Sequence, residues 1–183
     1  MKKKVCVFLA NGFEEIEGLT VVDLLRRAEF EVTTISVTGE TMVHGAHGID
    51  VKADMLFEDM SFDEQDMLVL PGGMPGTKHL GEHSGLKHIL EKFYTQKRYI
   101  AAICAAPSVL GKYGFLEGRK ATSYPGFERE LLGAEYVNDS VAVSDFMITS
   151  KGLGTAIPFS LALIEALEGK EKAEQIGKTI IYY

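Results

Sequence analysis

Apolar and polar positions follow two alternating spacings along this chain, and these spacings predict strands that alternate with helices. Residues 4–10 and 66–70 are short, continuously apolar runs, which is typical of strands buried on both faces of a sheet. Residues 14–28 instead repeat apolar side chains every three or four positions, which predicts an amphipathic helix. The sequence shows no internal repeat, linker or low-complexity segment.

The remaining elements follow from the same spacings and from the turn residues between them. We predict strands at 30–37, Tyr99–Ile103, 120–124, Val141–Ser144 and Met147–Ser150, and a hairpin or irregular strand pair at 41–51. We predict helices after Ser84 as an N-cap, at 107–113, at 127–132, from a Thr155 cap to Leu167, and at 170–181.

This order of elements predicts a single α/β domain over residues 1–183. We expect a flavodoxin-like, three-layer α/β/α sandwich with a mainly parallel sheet. Ligands of such sheets bind beyond the carboxyl ends of the strands. Three segments follow predicted strands and come to that edge, namely 11–17, Gly72-Gly73 and Cys104. We expect them to converge.

Composition and charge exclude several classes of protein. The formal net charge is −7, which argues against a nucleic-acid binder, and we interpret the one basic cluster, residues 2–4, as a solvated lead-in to the first strand. No window is long and apolar enough to span a bilayer, and the first residues lack a signal-peptide pattern, so we expect a cytoplasmic protein that binds no membrane. The five histidines are scattered without a metal-ligand spacing, so we expect no metal.

Cys104 ends an apolar, strand-forming run and is followed by Ala105, Ala106 and Pro107. This pattern is typical of a nucleophile held on a sharp strand-to-helix turn, because small neighbours leave room for the bend. The N–H groups of the following helix would favour thiolate over thiol, so we expect a lowered pKa and a reactive cysteine. Cys6 lies mid-strand among apolar residues, and we expect an inert, buried side chain.

Glu17 is the candidate acid–base residue. Glu14, Glu15 and Glu17 all lie in the first turns of a predicted helix, where carboxylates complement the helix dipole. Glu17 alone falls on the core-facing stripe, four residues before Val21. Burial should raise the pKa of its carboxyl, which could then donate a hydrogen bond to a sulfur or relay a proton.

Backbone N–H groups form the third part of the predicted site. Gly72-Gly73 leaves an N–H able to approach a ligand closely, and together with the N–H of Ala105 it could form an oxyanion hole. A plain Gly-Gly turn explains the two glycines equally well. Residues 152–155 lack the lysine and the spacing of a phosphate-binding loop, so we interpret them as a turn plus an N-cap.

The positions of the histidines disfavour two classes of cysteine hydrolase. All five precede Cys104, whereas a glutamine-amidotransferase-like enzyme places its partner histidine after the cysteine. Cysteine peptidases of related fold carry a histidine directly after the nucleophile, where this chain has Ala105. Hydrolysis by a Cys–His pair is therefore disfavoured.

The chain resembles the ThiJ/PfpI superfamily, within the class I glutamine amidotransferase-like fold, and in particular the branch of the parkinsonism-associated deglycase and its bacterial ThiJ/YajL-like relatives. The matching runs are 11–17, 69–73, 101–107 and 149–155. The resemblance implies that Cys104 is an oxidisable nucleophile and that Glu17 hydrogen-bonds it. It implies that Gly73 and Ala105 donate their N–H groups beside the sulfur. It also implies a homodimer whose pocket lies near the subunit contact.

Further positions are expected to line that pocket, and one of them departs from the family pattern. The resemblance places Arg27 near the pocket and the dimer contact, and Gly72 among the residues that line the pocket. Tyr124, before Pro125, stands where that branch has a histidine. A phenol can donate a hydrogen bond but is a poor base near neutral pH. A second arginine of the family's pocket is replaced near His47.

The resemblance implies three alternative functions. The first is a cofactor-independent glyoxalase or deglycase in which Cys104 and Glu17 act on methylglyoxal, on similar small dicarbonyls, or on early glycation adducts of proteins. The second is a redox sensor or redox-regulated chaperone that responds to oxidation of Cys104 to a sulfinate. The third, a role in thiamine biosynthesis, has no phosphate-binding motif in this sequence to support it.

Overall fold

The computed structural model describes residues 2–183 as strands that alternate with helices. The strands are β1 (Lys4–Leu9), β2 (Glu31–Ser36), β3 (Met42–His44), β4 (Asp50–Lys52), β5 (Met55–Leu56), β6 (Met67–Leu70), β7 (Tyr99–Ile103), β8 (Lys120–Ala121), β9 (Glu135–Tyr136), β10 (Val141–Ser144) and β11 (Met147–Ser150). The helices are α1 (Glu15–Arg27), α2 (Gly76–Glu82), α3 (Ser84–Thr95), α4 (Pro107–Lys112), α5 (Ala156–Glu168) and α6 (Lys170–Thr179). None of the helices within residues 2–183 combines the length and the apolarity needed to cross a membrane.

Seven of the strands form the central sheet, in the order β10-β11-β7-β6-β1-β2-β5. All neighbouring strands in this sheet are parallel except the edge pair β10–β11, which is antiparallel. The strand order reverses at β1, since β2 lies on one side of it and β6 on the other. The predicted flavodoxin-like fold with a mainly parallel sheet is confirmed.

Side chains of β1 show how the two faces of the sheet are covered. Val5, Val7 and Leu9 pack into the core formed with α1, α5 and α6. The alternate residues Cys6 and Phe8 pack into the core formed with α2, α3 and α4. Both faces are therefore apolar, which explains why the strand reads as a continuous apolar run. Each fully buried Leu or Phe contributes about 1.5–3 kcal/mol relative to an exposed one.

Three predicted local features are wrong. The strand predicted at 120–124 is only β8, two residues long, because the N–H of Tyr124 turns away to donate to the carbonyl of Cys104. The helix predicted at 127–132 is a short 3-10 turn, Glu128–Glu130. Ser84 is not the N-cap of α3. The imidazole of His83 fills that role by accepting the N–H of Leu86.

Two further differences lie next to the candidate site. Helix α2 was not predicted, because its seven residues include two glycines and only one large apolar side chain, Leu80. Thr155 stands at the N-cap position of α5, but its hydroxyl bonds the backbone of Gly152 instead of an N–H of the helix. The segment after β11 is therefore tied back on itself close to the carboxyl end of the sheet.

Candidate active site

Cys104 lies on a tight bend at the carboxyl edge of the sheet. It follows β7 directly and has a φ of +67°, in the left-handed region that a residue with a side chain seldom occupies. Two hydrogen bonds fix the bend: the N–H of Cys104 donates to the carbonyl of Ser150 at 2.9 Å, and that of Tyr124 donates to the carbonyl of Cys104 at 2.8 Å. The chain then turns through Ala105 before α4 begins, and the thiol is left partly exposed.

Glu17 lies in the first turn of α1 and its side chain points inward. The residue is 1% exposed, and its own N–H donates to the carboxylate of Glu14, the N-cap, at 2.7 Å. Its carboxylate accepts the N–H of Gly72 at 3.0 Å and the N–H of Leu153. A side-chain hydrogen bond joins it to Cys104. The segments after β1, β6, β7 and β11 therefore meet at one buried acid.

The two glycines after β6 are required by the space available. A methyl group at Gly72 would lie 2.4 Å from Cβ of Cys104 and 2.6 Å from Oε2 of Glu17. Gly73 has a φ of +89°, and a methyl group there would lie 2.3 Å from the backbone nitrogen of Glu14. The absence of both Cβ atoms lets this loop bring the N–H of Gly73 to the sulfur, beside the N–H of Ala105.

Burial dominates the electrostatics of the pair. It raises the pKa of Glu17 to about 7, and the neighbouring Glu14 carboxylate acts in the same direction. Burial also raises the pKa of the Cys104 thiol to about 12, the charge of Glu17 adds to this, and the N–H groups of Gly73 and Ala105 oppose it. The expectation of a lowered cysteine pKa is therefore wrong, because the sulfur is partly buried beside a carboxylate.

The raised pKa values define which group holds which proton. Near neutral pH Cys104 is a thiol, whereas Glu17 is distributed between its acid and its carboxylate. A carboxylate hydrogen-bonded to a thiol can accept its proton, and once Glu17 is neutral the repulsion between two negative charges disappears. The pair can therefore shuttle one proton between oxygen and sulfur.

The structure separates the two remaining pocket candidates. Tyr124 lies at the site, since its ring carbons are within 4 Å of the methyl position of Gly152, which is itself 3.6 Å from Oε1 of Glu17. Arg27 does not approach the sulfur. It lies ten residues beyond Glu17, about 15 Å along the axis of α1, and pairs with Asp23 at 2.7 Å on the surface.

Two contributions to the site were missed by the sequence analysis. The N–H of Leu153 donates to Glu17, although we interpreted its segment as a plain turn. The carboxylate of Glu14 caps α1, where we assigned it only a general effect on the helix dipole. The signal for the first was available, because 152–155 follows a buried strand that ends at the same edge of the sheet as β7.

Within residues 2–183, one cluster brings three potential metal ligands close together. It consists of Glu14, Glu15 and His47, whose ligand atoms lie within 4.8 Å of one another. Oε2 of Glu15 lies 2.8 Å from Nδ1 of His47, and Oε1 accepts the N–H of the same residue at 2.6 Å. These bonds satisfy the buried carboxylate of Glu15 without an ion. Cys6 is fully buried in the core and contacts no part of the site.

Fold and site together define a flavodoxin-like α/β protein with a cysteine on a strand-to-helix turn and a buried acid beside it. The sequence profile of the DJ-1/PfpI family matches residues 3–166, and the chain belongs to this family.

Individual relatives agree with this assignment. Protein DJ-1 homolog A of Arabidopsis thaliana is 40% identical over 182 residues, which cover 98% of this chain and 46% of that protein. The chain thus spans less than half the length of that relative. The glutathione-independent glyoxalase DJR-1.2 of Caenorhabditis elegans is 34% identical over 168 residues, covering 91% of this chain and 89% of the relative. The structure of oxidized Toxoplasma gondii DJ-1 has a TM-score of 0.94 and 38% identity, with 98% of each chain covered.

Proposed function

We propose that this chain is a glyoxalase that converts small 2-oxoaldehydes such as methylglyoxal, with water, into 2-hydroxy acids. The observation that carries the proposal is the hydrogen-bonded pair of Cys104 and Glu17, in which a 1% exposed carboxyl with a pKa of about 7 touches a partly exposed thiol. A group with a pKa near the working pH serves well as both acid and base.

The first step forms a carbon–sulfur bond. The Glu17 carboxylate takes the thiol proton while the sulfur of Cys104 adds to the aldehyde carbon. Glu17 then gives this proton to the aldehyde oxygen, which becomes the hydroxyl of a hemithioacetal, and Glu17 is a carboxylate again. The N–H groups of Gly73 and Ala105 point at the sulfur, and we propose that they stabilise the developing oxyanion beside it.

The second step moves a proton between neighbouring carbons. Glu17 removes the hydrogen of the former aldehyde carbon, which gives an enediolate. The proton of the hydroxyl on that carbon passes to the neighbouring ketone oxygen, and Glu17 returns its proton to the adjacent carbon. The product is a 2-hydroxyacyl thioester of Cys104. Water then attacks the thioester, the carbon–sulfur bond breaks, and lactate and the free thiol are released. Water is the only co-reactant, so the proposal names no cofactor.

A relative supports this substrate class. The Caenorhabditis elegans protein that is 34% identical over 168 residues is a glutathione-independent glyoxalase. The same chemistry applied to early adducts of dicarbonyls with protein side chains would make the chain a deglycase, and we include glycated proteins among its proposed substrates. The homodimer and the cytoplasmic location stay predictions.

The decisive experiment measures lactate formation from methylglyoxal. We expect Cys104→Ser to lose roughly 1,000-fold or more in kcat/KM, because the nucleophile is removed. Glu17→Gln should lose roughly 100- to 10,000-fold, the usual contribution of an acid–base group. Cys6→Ala removes the other, buried thiol and serves as the matched control, with activity near that of the wild type. Equal rates for wild type and Cys104→Ser would end the proposal.

A redox sensor is the second candidate, and one observation favours it. A protonated Glu17 beside the sulfur can donate a hydrogen bond to an oxygen added there, which would stabilise a sulfinate. Each of two peroxide molecules would deliver one oxygen to the sulfur and leave as water. Mass spectrometry after mild peroxide should show two added oxygens on Cys104 and none on fully buried Cys6. Equal oxidation of both cysteines contradicts this candidate.

A further inference from the structure

Tyr124 combines a fixed backbone with a free side chain at the rim of the site. Its N–H donates to the carbonyl of Cys104 at 2.8 Å, and its carbonyl accepts the N–H of Phe127 at 3.1 Å. The residue is nevertheless 51% exposed. The backbone of Tyr124 is therefore fixed to the turn that carries Cys104, while its side chain is half exposed.

Gly152 fixes where the ring lies relative to the acid. A methyl group at this position would be 3.2 Å from Cδ2 and 3.8 Å from Cε2 of Tyr124, and 3.6 Å from Oε1 of Glu17. The ring and the carboxylate oxygen thus both lie within van der Waals reach of this one position. Tyr124 is half exposed, whereas Glu17 is 1% exposed.

The charged groups that face Glu17 are few. Its own helix contributes Glu14, and the turn after β7 contributes Cys104. The loop after β6 contributes only the N–H of Gly72. In the loop after β11, Lys151 pairs with the side chain of Asn138, and only the N–H of Leu153 turns toward the carboxylate. The loop after β8 contributes the Tyr124 side chain itself. None of these groups is a cation that would favour the ionised form of Glu17. The ionisation of Glu17 therefore depends on how far water reaches its carboxyl group.

We propose that the Tyr124 ring, seated on Gly152, is a positioning residue that keeps water from Glu17 and so sets the pH range in which Glu17 acts on Cys104. The inference rests on the proposed acid–base role of Glu17. It assigns a purpose to the ring of Tyr124 and not to its hydroxyl. A carboxyl relieved of this cover would be solvated and would ionise at lower pH.

The test compares pH profiles of lactate formation for the wild type, Tyr124→Ala, Tyr124→Phe and Tyr182→Ala. Activity that needs the Glu17 carboxylate rises as the pH increases through the pKa of Glu17, and this rise is the acid limb of the pH profile. We expect Tyr124→Ala to move that limb down by about one pH unit, because water reaches the carboxyl. Tyr124→Phe keeps the ring and should overlay the wild type. Tyr182→Ala removes a tyrosine of similar exposure near the chain end and should also overlay it.

A second measurement separates this inference from the proposed function. Protein labelled with carbon-13 in its glutamates is titrated by NMR without substrate. The signal of the Glu17 carboxyl carbon is the one that is missing from the spectrum of Glu17→Gln. Its midpoint should fall in Tyr124→Ala and stay in Tyr124→Phe. An unchanged midpoint in Tyr124→Ala, or an equal shift in Tyr124→Phe, overturns the inference even if lactate forms. A wild type that makes no lactate overturns the proposed function, while the titration still decides the role of the ring.

Discussion

Cys104 and Glu17 show how one residue's chemistry depends on the proton of its neighbour. The strand ending and the helical stripe were enough to single out these two positions. The direction of the cysteine pKa was not readable in the same way. It depends on how deeply the sulfur lies and on the charge of Glu17, and both arise only when four distant segments meet. Local sequence describes the turn but not the dielectric around it.

A stability measurement isolates the cost of burying Glu17. Its pKa is about 7 when folded against an ordinary 4.5, so the folded state holds the proton more tightly. The free energy of unfolding should therefore be highest below pH 4.5 and fall by about 3 kcal/mol as pH rises through 7. Glu17→Gln lacks this slope. It should be more stable than the wild type by about 2 kcal/mol at pH 8 and less stable by about 1 kcal/mol at pH 4, since one N–H loses its acceptor at both pH values.

The comparison uses urea unfolding of both proteins at each pH. All other titrating groups are shared, so the difference between the two curves reports Glu17 alone. Parallel curves between pH 4 and pH 8 would mean that the acid is not buried in solution.

Gly72 tests the packing around the pair. In Gly72→Ala the new methyl group would collide with Cβ of Cys104 and with the Glu17 carboxylate. We expect a loss of about 1–3 kcal/mol in the free energy of unfolding, together with loss of catalysis. Gly154→Ala is the control, because nothing lies within 4 Å of the added methyl group. Equal stability of the two variants in urea melts would contradict the close packing of the glycine loop.

At the scale of elements, the hairpin β3–β4 is tied to the start of α1 by one buried side chain. Glu15 is 1% exposed and accepts the N–H of His47, the N–H of Ile49 and a bond from the His47 ring. Burial raises the pKa of Glu15, but these donors outweigh it and the pKa lies below its ordinary value. The carboxylate therefore stabilises the fold above pH 4.5, and this contribution disappears as pH falls through the folded pKa.

Loss of that tie should loosen the hairpin first. Glu15→Gln leaves one acceptor oxygen for three donors, and we expect about 1–3 kcal/mol less protection of the hairpin amides. Hydrogen exchange at Val43 and Val51 should accelerate while that of β1 stays slow. Asp50→Asn breaks the exposed contact with His44 and should change exchange by less than about 1 kcal/mol. Similar exchange in both variants would show that Glu15 does not hold the hairpin.

Elements with strong periodicity were predictable, and those defined by tertiary contacts were not. β7, β10 and β11 have the predicted bounds, because each is apolar and bounded by turn residues. Helix α2 escaped prediction because its glycines Gly76 and Gly81 weaken the helical pattern and allow close approach of neighbouring chain. The cap by His83 escaped because Ser84, next to it, is the commoner capping residue.

At the scale of the whole molecule, the two apolar cores share the strands of one sheet. Val7 faces one core and Phe8 the other, so neither core can open without exposing β1. We propose that residues 2–183 unfold as one cooperative domain. The chain has no tryptophan and seven tyrosines, so tyrosine fluorescence and far-ultraviolet circular dichroism should give coincident urea transitions. Two separated transitions would contradict the single domain.

The predicted homodimer has a candidate surface along α1 and α5. Ile16, Leu153 and Ile157 are exposed there, and Ile157 borders a groove that also includes Leu19 and Arg27. Sedimentation should give twice the 20.1 kDa mass of one chain. Ile157→Glu should shift the mass to that of a monomer, because a charge would enter an apolar contact. Lys178→Glu, a surface change on α6, is the control. A monomeric wild type would refute the homodimer.

The two outer strands of the sheet have a consequence for behaviour at high concentration. β5 is only two residues long, so it presents almost no open ladder of N–H and C=O groups. β10, at the other edge, is antiparallel to its neighbour and ends at Ser144, while the short β8 lies beside it. A foreign strand therefore finds no long, flat row of backbone groups to extend. The native chain should resist growth into fibrils, and such growth would have to begin from molecules that have already lost their fold.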